Sequence, residues 1–124
     1  MEAFELAELS LRHEGATNPY LEFLRVPSLS AGLYILPADS IDSQQPHTED
    51  EVYYVVKGRG HITVGEENRA VQAGTVVFVE AGVDHYFHTI VEDIEVLVFF
   101  APAEYSAKPL SDSNTVSRTR RRVE

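Results

Sequence analysis

From Tyr20 onward the chain is cut into short runs rich in Val, Ile, Tyr, Phe and Thr, each closed by Gly, Pro, Asp or Asn. The runs are Tyr20 to Val26, Ala31 to Leu36, Val52 to Lys57, His61 to Val64, Ala70 to Gln72, Thr75 to Val79, His85 to Ile90 and Glu95 to Ala101. Segments this short and this rich in β-branched and aromatic residues form strands. Eight of them at regular spacing predict an all-β sandwich or barrel. Lys57-Gly58-Arg59-Gly60 and Gly65-Glu66-Glu67-Asn68 fall where antiparallel hairpins would turn, with Gly available for positive φ. Ahead of the strands, Phe4, Ala7 and Leu11 have helical spacing, although Leu6 and Leu9 also permit a strand; a short N-terminal helix is predicted.

At 124 residues the chain has the size of one compact domain and rules out a two-domain enzyme. The expected organisation is an N-terminal segment over 1–19, a β-barrel over 20–107 and a flexible basic tail over 108–124. After Pro109 the sequence LSDSNTVSRTRRRVE has almost no bulky apolar side chain, so burial cannot offset its ordering entropy unless a partner supplies it.

The formal charge is −10. Four of the cations are Arg118, Arg120, Arg121 and Arg122, and residues 1–107 hold 5 basic against 18 acidic side chains. A body so acidic repels nucleic acid and anionic membrane over most of its surface, and the Arg cluster reads as a solvated tail. The N-terminal stretch is acidic where a signal peptide would be basic, and no run approaches the roughly 20 apolar residues of a membrane span. A cytoplasmic protein is expected. With no cysteine, there is no disulfide framework, thiolate metal site or Cys nucleophile, and a metal must be held by imidazole, carboxylate or amide oxygen.

Two segments concentrate the polar residues that carry chemistry: Gln45-Pro46-His47-Thr48-Glu49-Asp50-Glu51 and the stretch from Gly74 to His85. Gln45 and His47 share a face of an extended segment, Glu51 opens the next strand in phase with Tyr53 and Val55, and His85 is in phase with Phe87. If the His85 strand lies beside the Glu51 strand in a barrel, Gln45, His47, Glu51 and His85 converge as a site for a divalent first-row metal. Otherwise the same residues form a satisfied polar network without metal. Glu49 and Asp50 read as a solvated turn, His61 and His88 as outward-facing, and Phe78, Phe87, Phe99 and Phe100 as core.

These segments resemble the paired motifs of the cupin superfamily, G-x5-H-x-H-x3,4-E-x6-G and G-x5-P-x-G-x2-H-x3-N. Glu51 with Gly58, His47 at the second His, and Gly74, Gly82 and His85 keep the spacing, and the resemblance covers roughly residues 31 to 101. Asp39 stands in place of the leading Gly, Gln45 of the first His, Glu80 of the Pro and Thr89 of the Asn. The resemblance implies a double-stranded β-helix, or jelly roll, with one divalent transition metal (Fe, Zn, Mn or Ni) held inside by Gln45, His47, Glu51 and His85. Gln is a weaker ligand than imidazole; without it the set is two His and one carboxylate, as in non-haem Fe(II) oxygenases.

The expectation is therefore an enzyme acting on a small organic molecule inside the barrel, by dioxygenation first and by lyase or isomerase chemistry second. Tyr53 is placed as an acid/base helper. The alternative is a non-catalytic module that binds a small ligand or metal for sensing or storage. A homodimer is expected, because jelly-roll edges must be paired or covered and YLEFLRV can serve as the pairing strand.

Overall fold

One helix and six strands follow in order: α1 (Leu6–Glu14), β1 (Tyr20–Val26), β2 (Leu29–Leu36), β3 (Asp50–Val64), β4 (Glu67–Gln72), β5 (Val76–Val79) and β6 (His85–Ala101). The computed structural model describes residues 1–43 and 46–106; Gln45 and the expected tail, 108–124, lie outside the described residues. The strands form one antiparallel sheet in the order β1-β2-β6-β3-β4, with β5 also on β3. It is the all-β jelly roll with a short N-terminal helix that the sequence predicts.

Its spine is the β3–β6 ribbon, paired from Asp50 opposite Ala101 to Val64 opposite His85. A two-stranded ribbon of that length twists strongly, and the twist rolls the sheet into a barrel. Here the expected eight strands become six. The segment Lys57 to Gly60 is a continuation of β3 and makes no hairpin: the register against β6 shifts between Val55 and Lys57, Lys57 and Arg59, and Arg59 and His61. Such bulges bend a strand without ending it. Gly58 has φ 98°, and a Cβ there would lie 2.1 Å from the Asp93 carbonyl oxygen, so glycine permits the bend. The Gly65-Glu66 turn does close a hairpin, with Val64 opposite Glu67 and Gly65 at φ 60°.

The barrel interior is filled by Tyr53, Val55, Ile62, Phe87, Ile94 and Phe100, all at most 1% exposed. Phe99 is half-buried, and Phe78 is 60% exposed, which corrects its assignment to the core. On β5 it is Val79 that is buried, and the alternation along a strand turns Phe78 outward, opposite Val52. Outside, α1 buries Leu9 and joins the sheet through a Ser10 hydroxyl donated to Glu95 Oε1 at 3.1 Å. Arg12 and His13 in its last turn suit the negative end of the helix dipole. Among the described residues no helix is long and apolar enough to cross a membrane.

Candidate metal centre

The two polar segments meet through backbone contacts as well as side chains. Glu51 opens β3 opposite Val79 of β5, and the five residues after β5 lead straight to His85. Gly82, at φ 81°, donates its N–H to the His47 carbonyl at 2.7 Å, tying the turn before His85 to the loop before Glu51. The same loop is stitched to β6 by Asp42, whose carboxylate accepts from the Phe87 N–H at 2.8 Å and from the Tyr34 hydroxyl. The juxtaposition therefore arises by way of β5. Within the β3–β6 ribbon itself, His85 and Glu51 are at opposite ends, paired with Val64 and Phe100.

His47, Glu51 and His85 are 6%, 1% and 3% exposed, and one ligand-type atom from each lies within 4.8 Å of the others. Glu51 Oε1 is 3.4 Å from His47 Nδ1 and 3.2 Å from His85 Nε2. Neither contact is aligned as a hydrogen bond: both Glu51 oxygens, His47 Nδ1 and His85 Nε2 are buried without a hydrogen-bond partner among the described residues. Buried polar atoms are nearly always paired, so four orphans facing one point are a mark of something that belongs between them. Ligands about 2.1 Å from a shared ion stand up to roughly 4.2 Å apart, and this cluster closes onto one with shifts of about half an ångström. Two imidazole nitrogens and a carboxylate fit a divalent transition metal.

In the metal-free protein the same groups share charge. Burial works against the His47 imidazolium, but the carboxylates of Glu104 and Glu51 overcome it and raise the pKa to about 9. Burial would raise Glu51, and His47 and His85 instead bring it down to about 2. The walls are aromatic: Phe100 lies 4.6 Å from the His47 ring, and Tyr105 stacks on it at 5.5 Å and 30°.

Of the other residues singled out in the sequence, Tyr53 is fully buried, with its ring 6.0 Å from that of His85 and 5.0 Å from Phe87. Asp50 is exposed, but Glu49 corrects the expectation of a solvated turn: it is 1% exposed and accepts the Tyr105 N–H at 2.6 Å and the Thr48 hydroxyl. His61 and His88 pair across β3 and β6 as half-buried, stacked rings 5.7 Å apart, away from the triad.

Two residues had no sequence signal. Glu104 reaches His47 Nε2 at 3.0 Å from beyond the last strand. Tyr20, on β1, sends its ring over Gly32 toward Phe100, where its hydroxyl is buried without a hydrogen-bond partner among the described residues; burial, Glu104 and Glu51 keep it protonated. A cavity of about 440 Å³ opens beside β4, lined by Ile62, Val64, Arg69, Val77 and Phe78 among others. Val64 is the register partner of His85, so the cavity reaches the neighbour of the triad.

The model of the Cupin domain family matches residues 32–100. An uncharacterized protein of Streptomyces coelicolor is 53% identical over 104 residues, covering 84% of this chain and 99% of its own length. Among solved structures, TT1209 from Thermus thermophilus superposes with a TM-score of 0.69 at 26% identity, over 83% of this chain and 99% of that one. The DMSP lyase DddQ from Ruegeria pomeroyi gives 0.58 at 25% identity, over 61% of this chain and 39% of that one.

Proposed function

Because the chain belongs to the cupin family and buries a His-Glu-His cluster compatible with a metal, we propose that it is a metal-dependent enzyme acting on a small organic molecule inside the barrel. The observation that carries this reading is the set of four buried ligand-type atoms at one point that have no hydrogen-bond partner among the described residues. His47, Glu51 and His85 would hold the metal, with Gln45, outside the described residues, as the further ligand that the motif spacing implies. A divalent metal bound there supplies Lewis acidity or, if iron, oxygen activation. A set of two imidazoles and one carboxylate leaves positions open for oxygen and substrate, so dioxygenation is the first reaction to test.

The protein's own groups shape what can react. The cavity volume, near 440 Å³, suits a metabolite-sized ligand, and its lining is mixed, with Ile62, Val64, Val77 and Phe78 beside Glu67, Asn68 and Arg69. Glu67 and Arg69 both line that wall, so it offers one anion and one cation to a polar substituent. Phe100 and Tyr105 flank His47 and exclude water from its ring. Tyr53 serves as a proton donor or substrate hydrogen-bonder next to His85.

Lyase or isomerase chemistry is the second reading, favoured by the likeness to the DMSP lyase DddQ. A metal- or ligand-binding module without turnover is the alternative. Metal analysis of protein purified without chelator is expected to give close to one equivalent; less than about a tenth, with no uptake on adding metal, removes the metal reading. Oxygen uptake and product formation by the Fe(II)-loaded protein, across aromatic, sugar and small-acid compounds, then separate the reactions. Binding without turnover across that panel selects the module.

A further inference from the structure

Each imidazole of the triad turns one nitrogen toward Glu51 and the other toward an acceptor outside the site. His85 Nδ1 lies 2.8 Å from the Val83 carbonyl oxygen, leaving Nε2 for the centre. His47 is arranged the other way round: its Nε2 lies 3.0 Å from Glu104 Oε2, leaving Nδ1 for the centre. A carbonyl accepts only from N–H, and so does a carboxylate. An imidazole with one nitrogen protonated in this way keeps its lone pair on the other, which fixes both tautomer and ring orientation.

Glu104 is itself held with unusual care for a residue beyond the barrel's last strand. Its N–H donates to the hydroxyl of fully buried Ser30 at 2.8 Å. Its carbonyl accepts from Arg25 Nη2 at 2.7 Å. The next residue, Tyr105, donates its N–H to buried Glu49 at 2.6 Å and stacks on His47. Three bonds from β1, β2 and the loop carrying His47 thus pin the backbone on both sides of one carboxylate. The Glu104 carboxylate is only 14% exposed, and the contact it makes is with His47. Burying a carboxylate is costly unless it is paired, so a short segment fastened this firmly around one points to a positional role.

We propose that Glu104 is a positioning residue for the metal centre: it holds the His47 Nε2–H so that Nδ1 faces the metal, and the segment Ala103 to Ser106 exists in this form to present it. Glu104 lies outside residues 32–100 that match the family model. The inference rests on the proposed function only in requiring that the triad bind metal.

The test uses the full chain, zinc as probe, and two readouts: calorimetric zinc titration, and long-range proton–nitrogen correlation spectra of the imidazole rings in the zinc-loaded protein. In the wild type, His47 is expected to carry its proton on Nε2 and zinc on Nδ1, and His85 the reverse. Glu104→Ala is expected to lower zinc affinity about 10- to 100-fold. Glu104→Gln keeps an oxygen that accepts from Nε2–H and is expected to lose less, which serves equally if the alanine variant does not fold. Zinc on His47 Nε2 in the wild type, or affinity within about twofold of wild type in both variants, overturns the role of Glu104 and leaves the metal site standing. No zinc binding by the wild type overturns the metal site itself and the role of Glu104 with it.

Discussion

Asp39 and Thr89 stand where the cupin motifs have Gly and Asn, and both keep left-handed backbone, at φ 65° and 50°. The Asp39 N–H donates to the carbonyl of Ile90, the residue after Thr89, at 2.9 Å. Asp tolerates this conformation; a β-branched Thr is strained by it, and the left-handed form costs an ordinary L-residue roughly 1–2 kcal/mol. Thr89→Asn is therefore expected to stabilise the protein by about 1 kcal/mol in urea unfolding, and an unchanged midpoint would count against strain at this position. The triad makes a second prediction at this scale, for the metal-free protein. His47 titrates near 9 when folded against an ordinary 6.5, so its contribution to stability is complete below pH 6.5 and disappears as the pH rises through about 9. Glu51, near 2 against 4.5, contributes above pH 4.5 and loses its contribution as the pH falls through about 2. Metal-free stability should therefore peak between pH 4.5 and 6.5, while stabilisation by added zinc should grow from pH 6.5 toward 9 as zinc competes less with the His47 proton. Thermal melts at several pH values, with and without zinc, check both slopes; zinc stabilisation that is flat with pH would mean His47 is not displaced from its proton.

Among the elements, β1 and β2 do more than extend the sheet. Gly32 pairs with Glu22 two residues along from Tyr20, and a Cβ on it would sit 2.1 Å from Tyr20 Cζ. The missing side chain is what lets the Tyr20 ring cross β2 and reach Phe100 beside the triad. Gly32→Ala is expected to destabilise by about 1–3 kcal/mol through overpacking, with Tyr20 displaced from the core. Tyr20→Phe is expected to be neutral or slightly stabilising, since it removes a buried hydroxyl without a hydrogen-bond partner among the described residues. Chemical denaturation of both variants is the measurement, and a Gly32→Ala variant as stable as wild type would show that the ring has room elsewhere. The helix shows the same interdependence. Its amphipathic pattern is weak in sequence, and it forms because Leu9 and Ser10 dock on the outer face of the sheet.

For the whole molecule, the open question that the architecture raises is association. β1 is an edge strand, and on the outer face Tyr54, Val76 and Phe78 are 41%, 63% and 60% exposed on the neighbouring strands β3 and β5. An unpaired edge and an exposed aromatic patch are features that a second copy would cover. We expect a homodimer, measurable as twice the chain mass by light scattering; a monomer at tens of micromolar would remove this expectation.

Strand content was legible in the sequence because it depends on local rules. Alternation with period two and Gly-marked turns locate strands without knowledge of their partners, and a side chain's parity within its strand places it on one face. Parity joined Gln45, His47, Glu51 and His85 only on the condition that the His85 strand lies beside the Glu51 strand, and the cupin-motif spacing named them as a set; His47, Glu51 and His85 come together by way of β5 instead. What resisted reading depended on partners far along the chain. Lys57-Gly58-Arg59-Gly60 looks like a turn and becomes a bulge only because β6 continues beside it. Glu49 looks solvated and is buried because Tyr105 arrives above it, 56 residues later. Glu104 has no motif at all; its meaning comes from Ser30, Arg25 and His47, which three separate elements bring within hydrogen-bonding reach. The sequence by itself determined a β-barrel and the donor types it could turn inward, since periodicity and side-chain chemistry are properties of short segments. The tertiary structure alone decided which donors remain unpaired and which groups aim them, since burial and hydrogen bonding exist only once distant segments share one space.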